Sequence, residues 1–192
     1  MAMNATSVRT SLHVRGFTLL ELMVALTLTG MMLAAGLPSF TTFLRNAEVR
    51  STAEAISNGL RVARSEASRL NRPVSFTLAG SGNPSWAINI FNPATGVLLQ
   101  PPIQEYSKLE VGRSTEVGTA PLAAVAITFN GLGRIVSPSP IATPNLQQVD
   151  VRSIIGGEAR SLRVYVDDVR GIRLCDPDPA LRLLMPPDAR AC

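Results

Sequence analysis

Between Phe17 and Phe40 the chain carries a single charged side chain, Glu21, in an otherwise uncharged apolar run of 24 residues. A carboxylate at the centre of a membrane helix opposes insertion by roughly 3 kcal/mol. An acid in such a setting marks a functional site, and its natural partner is a cation. A second group of residues could do chemistry at the other end of the chain. There Arg170, Arg173, Arg182 and Arg190 fall around the two cysteines, Cys175 and Cys192.

The apolar run is long enough to cross a hydrocarbon core of ~30 Å at ~1.5 Å per residue. It is preceded by a polar segment, Met1–Gly16, bearing Arg9, His13 and Arg15 and no acid. Positive charge before an apolar span holds that segment in the cytoplasm and sends the following chain outward. Three ordinary readings compete. One is a secretory signal peptide with its apolar region at Leu22–Ala35 and cleavage near Ala34-Ala35-Gly36. The others are a plain single-span anchor and a buried core helix. None of them needs an acid at Glu21, and Pro38 sits just past the signal-peptidase position.

The string Gly16-Phe17-Thr18-Leu19-Leu20-Glu21-Leu22-Met23-Val24-Ala25-Leu26 resembles the class III leader junction of type IV prepilins and type II secretion pseudopilins. In that family a Gly precedes a Phe, and an acid occupies the fifth mature position, here Glu21. The resemblance implies cleavage after Gly16 by a prepilin peptidase, N-methylation of Phe17, and subunit assembly through Glu21. The physical logic is independent of it. Cleavage creates an ammonium on Phe17, and Glu21 of a neighbouring subunit can meet it. A desolvated pair offsets its burial only when both partners are present, so it favours one axial register.

Beyond the membrane run, Val49, Ala53, Ile56, Leu60, Ala63, Ala67 and Leu70 recur at spacings of four and three. Arg50, Glu54, Ser57, Asn58, Arg61, Arg64, Ser65 and Ser68 fall between them and suit a solvated face. One helix from about Phe17 to about Leu70 is expected, ended by Asn71 and the Arg72-Pro73 step. Gly36 and Pro38 should kink or locally melt it. The stripe is expected to pack on the chain's own sheet rather than form a coiled coil. Strands are expected at Val74–Leu78, Trp86–Phe91, Val97–Gln100, Ala123–Phe129, Val149–Ile155, Ser161–Val166 and Gly171–Leu174. A Gly156-Gly157 turn should join the fifth and sixth of these. The tail, Asp176–Cys192, has four prolines and reads as irregular.

The pattern reads as α+β, and the resemblance implies a type IV pilin-like fold with a long helix on an antiparallel β-rich domain. Its parts are a leader at 1–16, a transmembrane and assembly helix at 17–40, an amphipathic continuation at 41–72 and a β-rich domain at 73–192. The formal net charge is +4. Losing Arg9 and Arg15 with the leader reduces it to +2, which is weak grounds for nucleic acid. His13, the sole histidine, leaves with the leader too. No Ser-His-Asp, Cys-His or Cys/His metal arrangement is then possible, and no catalytic residue, metal or cofactor is expected. Outside the inner membrane the two cysteines can bridge, closing a loop that contributes roughly 3 kcal/mol; two free thiols are the alternative.

Two stretches resemble the GspH/FimT group of minor pilins. They are Leu60–Val74 at the helix end and Ile127–Arg134 in a central strand and turn. The ending, Leu174-Cys175-Asp176-Pro177 and Ala189-Arg190-Ala191-Cys192, is similar to the FimT/FimU pilus branch; Ala94–Val117 carries no resemblance. The resemblance implies a non-enzymatic minor pilin that primes or tips a type IV pilus. Its partners would be a prepilin peptidase and methylase, other pilins and the inner membrane, with the β-rich domain in the periplasm and then on the fibre. The alternatives are a type II secretion pseudopilin and a minor pilin that binds double-stranded DNA during transformation. The last rests on a Gly-Arg-x-Arg pattern before the cysteine, where this chain has Arg170-Gly171-Ile172-Arg173 with its first two residues exchanged. From Asp150 onward seven arginines face seven acids, so a solvated ion-paired surface explains the same composition.

Overall fold

A computed structural model describes residues 16–111, 113–141, 144–155, 160–184 and 188–192, with the side chains at 35–38 and 111 excluded. The leader before Gly16 and the Gly156-Gly157 turn lie outside the described residues, as does the side chain of Pro38; the local melting expected at Gly36 and Pro38 does not occur, because the helix backbone runs through both. The chain divides into two units, Met1–Phe40 and Thr41–Cys192.

The first unit holds the start of helix α1 (Leu19–Leu70). Its apolar window is long enough to cross a membrane, and none of that window is buried. The hydroxyls of Thr27 and Thr29 donate to the carbonyls of Val24 and Ala25 at 2.9 and 2.7 Å. Returning a hydroxyl to the helix backbone removes an unpaired polar group from an apolar segment.

In the second unit α1 buries Val49, Ala53, Ile56, Leu60, Ala63 and Ala67, while Leu70 packs at the margin of the core. The expected stripe is present but too narrow. Ser57, read from its spacing as solvated, is buried, and so is Thr52. The core that receives α1 is drawn from two sheets, so the helix is covered over a wider arc than one stripe. Gly59 lies in that arc: a Cβ there would stand 2.8 Å from the Trp86 indole. The helix ends as a Schellman motif. Asn71 adopts φ 48°, its N–H donates to Ser68, and the N–H of Arg72 donates to Ala67.

Strands β1 (Val74–Gly80), β2 (Asn83–Asn92), β3 (Val97–Leu98), β4 (Gln104–Tyr106) and β6 (Ala126–Phe129) form the first sheet. Its order is β3-β2-β1-β6, with β4 also on β2. Strands β5 (Thr115–Ala120), β7 (Gln148–Ser153), β8 (Leu162–Asp167) and β9 (Gly171–Cys175) form the second, in the order β5-β7-β8-β9. All pairings are antiparallel. Phe76, Ile88 and Ile127 of the first sheet and Val149, Val151 and Val164 of the second meet the helix stripe in one core. On the other face of the first sheet, Ser75 and Thr128 are neighbours in the register and share a hydroxyl hydrogen bond of 2.8 Å, which satisfies both where they are buried.

Five elements differ from the sequence expectation. β4, β5 and helix α2 (Lys108–Val111) lie between the expected strands Val97–Gln100 and Ala123–Phe129, where no element is expected. Helix α3 (Pro179–Leu183) gives the tail regular structure, with Asp178 as N-cap and proline at its first position. The strand read as starting at Ala123 starts at Ala126, because Ala123 is left-handed at φ 64° in a turn after Pro121.

Candidate functional site

The first site is the start of α1. Phe17 is exposed and precedes the helix; Glu21 is exposed in its first turn. Thr18 caps the helix: its Oγ1 accepts the Glu21 N–H at 3.2 Å and its carbonyl accepts the Leu22 N–H at 3.1 Å. Thr18-x-x-Glu21 is thus the sequence signature of a capping box, legible from the residues but overlooked. An acid in the first turn also complements the positive end of the helix dipole. Only Phe17 and the capping Thr18 separate Gly16 from the start of α1.

The second site is the C-terminal region. Cys175 and Cys192 form a disulfide. It joins the end of β9 to the last residue, and the tail returns alongside, with the Asp176 N–H donating to Arg190 and the Cys192 N–H donating to Asp176. Three of the four arginines singled out from sequence, Arg170, Arg173 and Arg182, line one open groove of about 670 Å³. Arg190 does not. It is committed to Asp188 through an Nη2–Oδ2 contact of 2.6 Å. The Arg190 guanidinium holds the Asp188 carboxyl down at about 2, and the arginine is raised in turn. Asp167 and Asp168 line the groove among the arginines.

Arg170 also faces a neighbouring concavity of about 520 Å³, lined by Arg61 and Arg64 of α1 with Ser65, Ser68 and Gly171. Sequence reading assigned the two α1 arginines to a solvated face and gave them no part in a site. Their signal was weak because 106 positions separate Arg64 from Arg170 in the chain, and only the fold brings them together. Arg61, Arg64, Arg170, Arg173 and Arg182 have no ion pair among the described residues, in contrast to Arg50, Arg69, Arg152, Arg163 and Arg190.

An unburied apolar helix of membrane length with a lone acid in its first turn, together with a helix-on-sheet domain, has the character of a pilin-like structural subunit and fits membrane anchoring. Comparison with known families agrees. Residues 52–169 match the family described as type II transport protein GspH, and residues 12–37 match the prokaryotic N-terminal methylation motif. The chain belongs to the GspH family and is a structural, non-enzymatic protein. Among solved structures it is similar to the type IV minor pilin FimU of Pseudomonas aeruginosa, at 19% identity over 69% of this chain and 91% of that one, with a TM-score of 0.52. The solution structure of Escherichia coli GspH matches at 15% identity over 70% of this chain and 92% of that one, with a TM-score of 0.46. No protein of curated function matches.

Proposed function

We propose that this chain is a minor pilin of a type IV pilus. A prepilin peptidase cuts it after Gly16, a methylase modifies Phe17, and it helps to prime or tip the fibre. Its apolar helix rests in the inner membrane with the β-rich domain in the periplasm until assembly extracts it. The observation that carries this reading is the first turn of α1, where a Thr18 cap sets Glu21 one turn from the residue that becomes the amino terminus. Low dielectric then strengthens the pairing of Glu21 with the ammonium of an adjacent subunit. Sequencing the processed protein tests cleavage: it should begin with N-methylated phenylalanine. Glu21→Ala should leave cleavage intact and lower incorporation into fibres; incorporation equal to the parent counts against the pairing.

A type II secretion pseudopilin is the second reading, favoured by the family match over residues 52–169. Deleting the gene and assaying exoprotein release against pilus assembly separates the two. DNA uptake is a third, supported by the acid-free cluster of Arg61, Arg64 and Arg170. Phosphate contacts of that kind make binding fall steeply with salt. Duplex binding lost on changing Arg170 and Arg173 to Ala would support it, and no binding at low salt would remove it.

A further inference from the structure

The larger groove has a chemistry different from the arginine cluster on α1. Gln148, Tyr165 and Arg173 are consecutive cross-strand neighbours on β7, β8 and β9. They therefore form a row on the face opposite the buried Val149 and Val164. Arg163 fixes the ring in that row: its Nη1 donates to the Tyr165 hydroxyl at 3.3 Å, with the guanidinium carbon 5.7 Å from the ring centroid. Arg182 of α3 and the disulfide line the groove on the tail side, and the 167–170 turn contributes Asp167, Asp168 and Arg170.

Those two carboxylates decide the ligand class. Asp168 Oδ1 accepts the Ile135 N–H at 2.9 Å, and Asp167 Oδ1 accepts the Val169 N–H at 3.1 Å. The second oxygen of each has no donor among the described residues. The groove thus offers acceptors and amides as well as three guanidinium groups without ion pairs. A phosphodiester backbone brings acceptors only, and both aspartates repel it. A ligand that supplies hydroxyl donors together with a carboxylate satisfies both kinds of group. We propose that this groove binds an acidic oligosaccharide of the uronate type. A sugar carboxylate is held by Arg173 or Arg182, hydroxyls meet Asp167, Asp168 and the amides, and a sugar face lies along Tyr165. Planar guanidinium suits a carboxylate bidentately. The groove volume of about 670 Å³ falls within the range of ~300–1,000 Å³ typical of small-molecule sites.

The test uses the full processed chain in detergent micelles with three probes: a tetragalacturonate, a neutral glucose tetramer and a short DNA duplex. The uronate should bind at least about tenfold more tightly than the neutral tetramer, since the charge-assisted contacts are lost with the carboxylates. Arg173→Gln with Arg182→Gln should weaken uronate binding by at least about tenfold while the Cys175–Cys192 bridge is retained. If that pair fails to fold, Gln147→Ala, a change at an exposed side chain on the groove, should still weaken binding measurably. Equal affinity for the neutral tetramer, no uronate binding at low salt, an unchanged affinity in the arginine variant (or, where that does not fold, in Gln147→Ala), or displacement of bound uronate by the duplex each overturns the proposal. None of these outcomes depends on whether the chain serves a pilus or a secretion system.

Discussion

Gly59→Ala sets two backbone effects against one packing effect. In an ordinary helix interior the change stabilises by roughly 0.5–1 kcal/mol, because alanine has less backbone freedom to lose and better helix propensity. Here the added Cβ would stand 2.8 and 2.9 Å from two carbons of the Trp86 indole and 3.0 Å from the Phe76 ring. Trp86 is 2% exposed and Phe76 is fully buried, and their rings meet tilted by 33° at 5.4 Å between centroids. Neither is the free end of a flexible side chain, so relief requires the helix to lift from the sheet. Overpacking of this kind costs about 1–3 kcal/mol, and the net expectation is a loss of ~1–2 kcal/mol. Trp86 is the only tryptophan, so its emission reports the perturbed contact directly. Urea unfolding of the full chain in micelles should show the midpoint falling by roughly 0.5–1 M for a slope near 2 kcal/mol per M. Gly30→Ala is the control, because nothing lies within 4 Å of a Cβ there; it should leave the Trp86 transition in place. A midpoint that holds or rises in Gly59→Ala would show that helix propensity outweighs the contact, and the account of why α1 approaches the sheet so closely would be wrong.

Gly131→Ala should also destabilise, since a Cβ there meets the backbone of Asn71 at 3.0 and 3.1 Å in the Schellman turn, where nothing can swing aside. A thermal melt should drop clearly, and an unchanged midpoint would refute the packing of that turn on the helix end. Cys192→Ser removes a bridge across a sequence separation of 17; the loss should be roughly 3 kcal/mol, read by chemical unfolding. Mass spectrometry after alkylation should find no reactive thiol in the parent and one in the variant. Asp188 is held at about 2 in the folded chain, below its unfolded value, by the Arg190 side chain. Its contribution is therefore present above an unfolded pKa of ~3.9 and is lost as pH falls through about 2. A carboxyl NMR titration should place its midpoint near 2, and one at the ordinary aspartate value would remove the Arg190 pair.

Much of this protein follows from local patterns. The apolar run with its lone Glu21, the period of Val49 through Ala67, and the Asn71 and Pro73 stop are each written in a few consecutive residues. Each is realised in α1 as read. The strands with strong alternation or dense apolar runs, β1, β2, β7 and β8, were equally legible. The capping box at Thr18 and the Asp178-Pro179 start of α3 were local signals left unread; other misses have a non-local cause. β5 contains Gly118 and two threonines, and its strand state comes from pairing with β7 some thirty residues later, which no local preference encodes. Ser57 is buried because two sheets converge on the helix, a fact absent from its spacing. The arginines were visible one by one; which of them share a groove, which is consumed by Asp188, and that Arg61 and Arg64 stand beside Arg170 were settled by tertiary structure alone. Segment patterns act over neighbouring residues, whereas a surface site is assembled from side chains whose proximity exists only after the chain has folded.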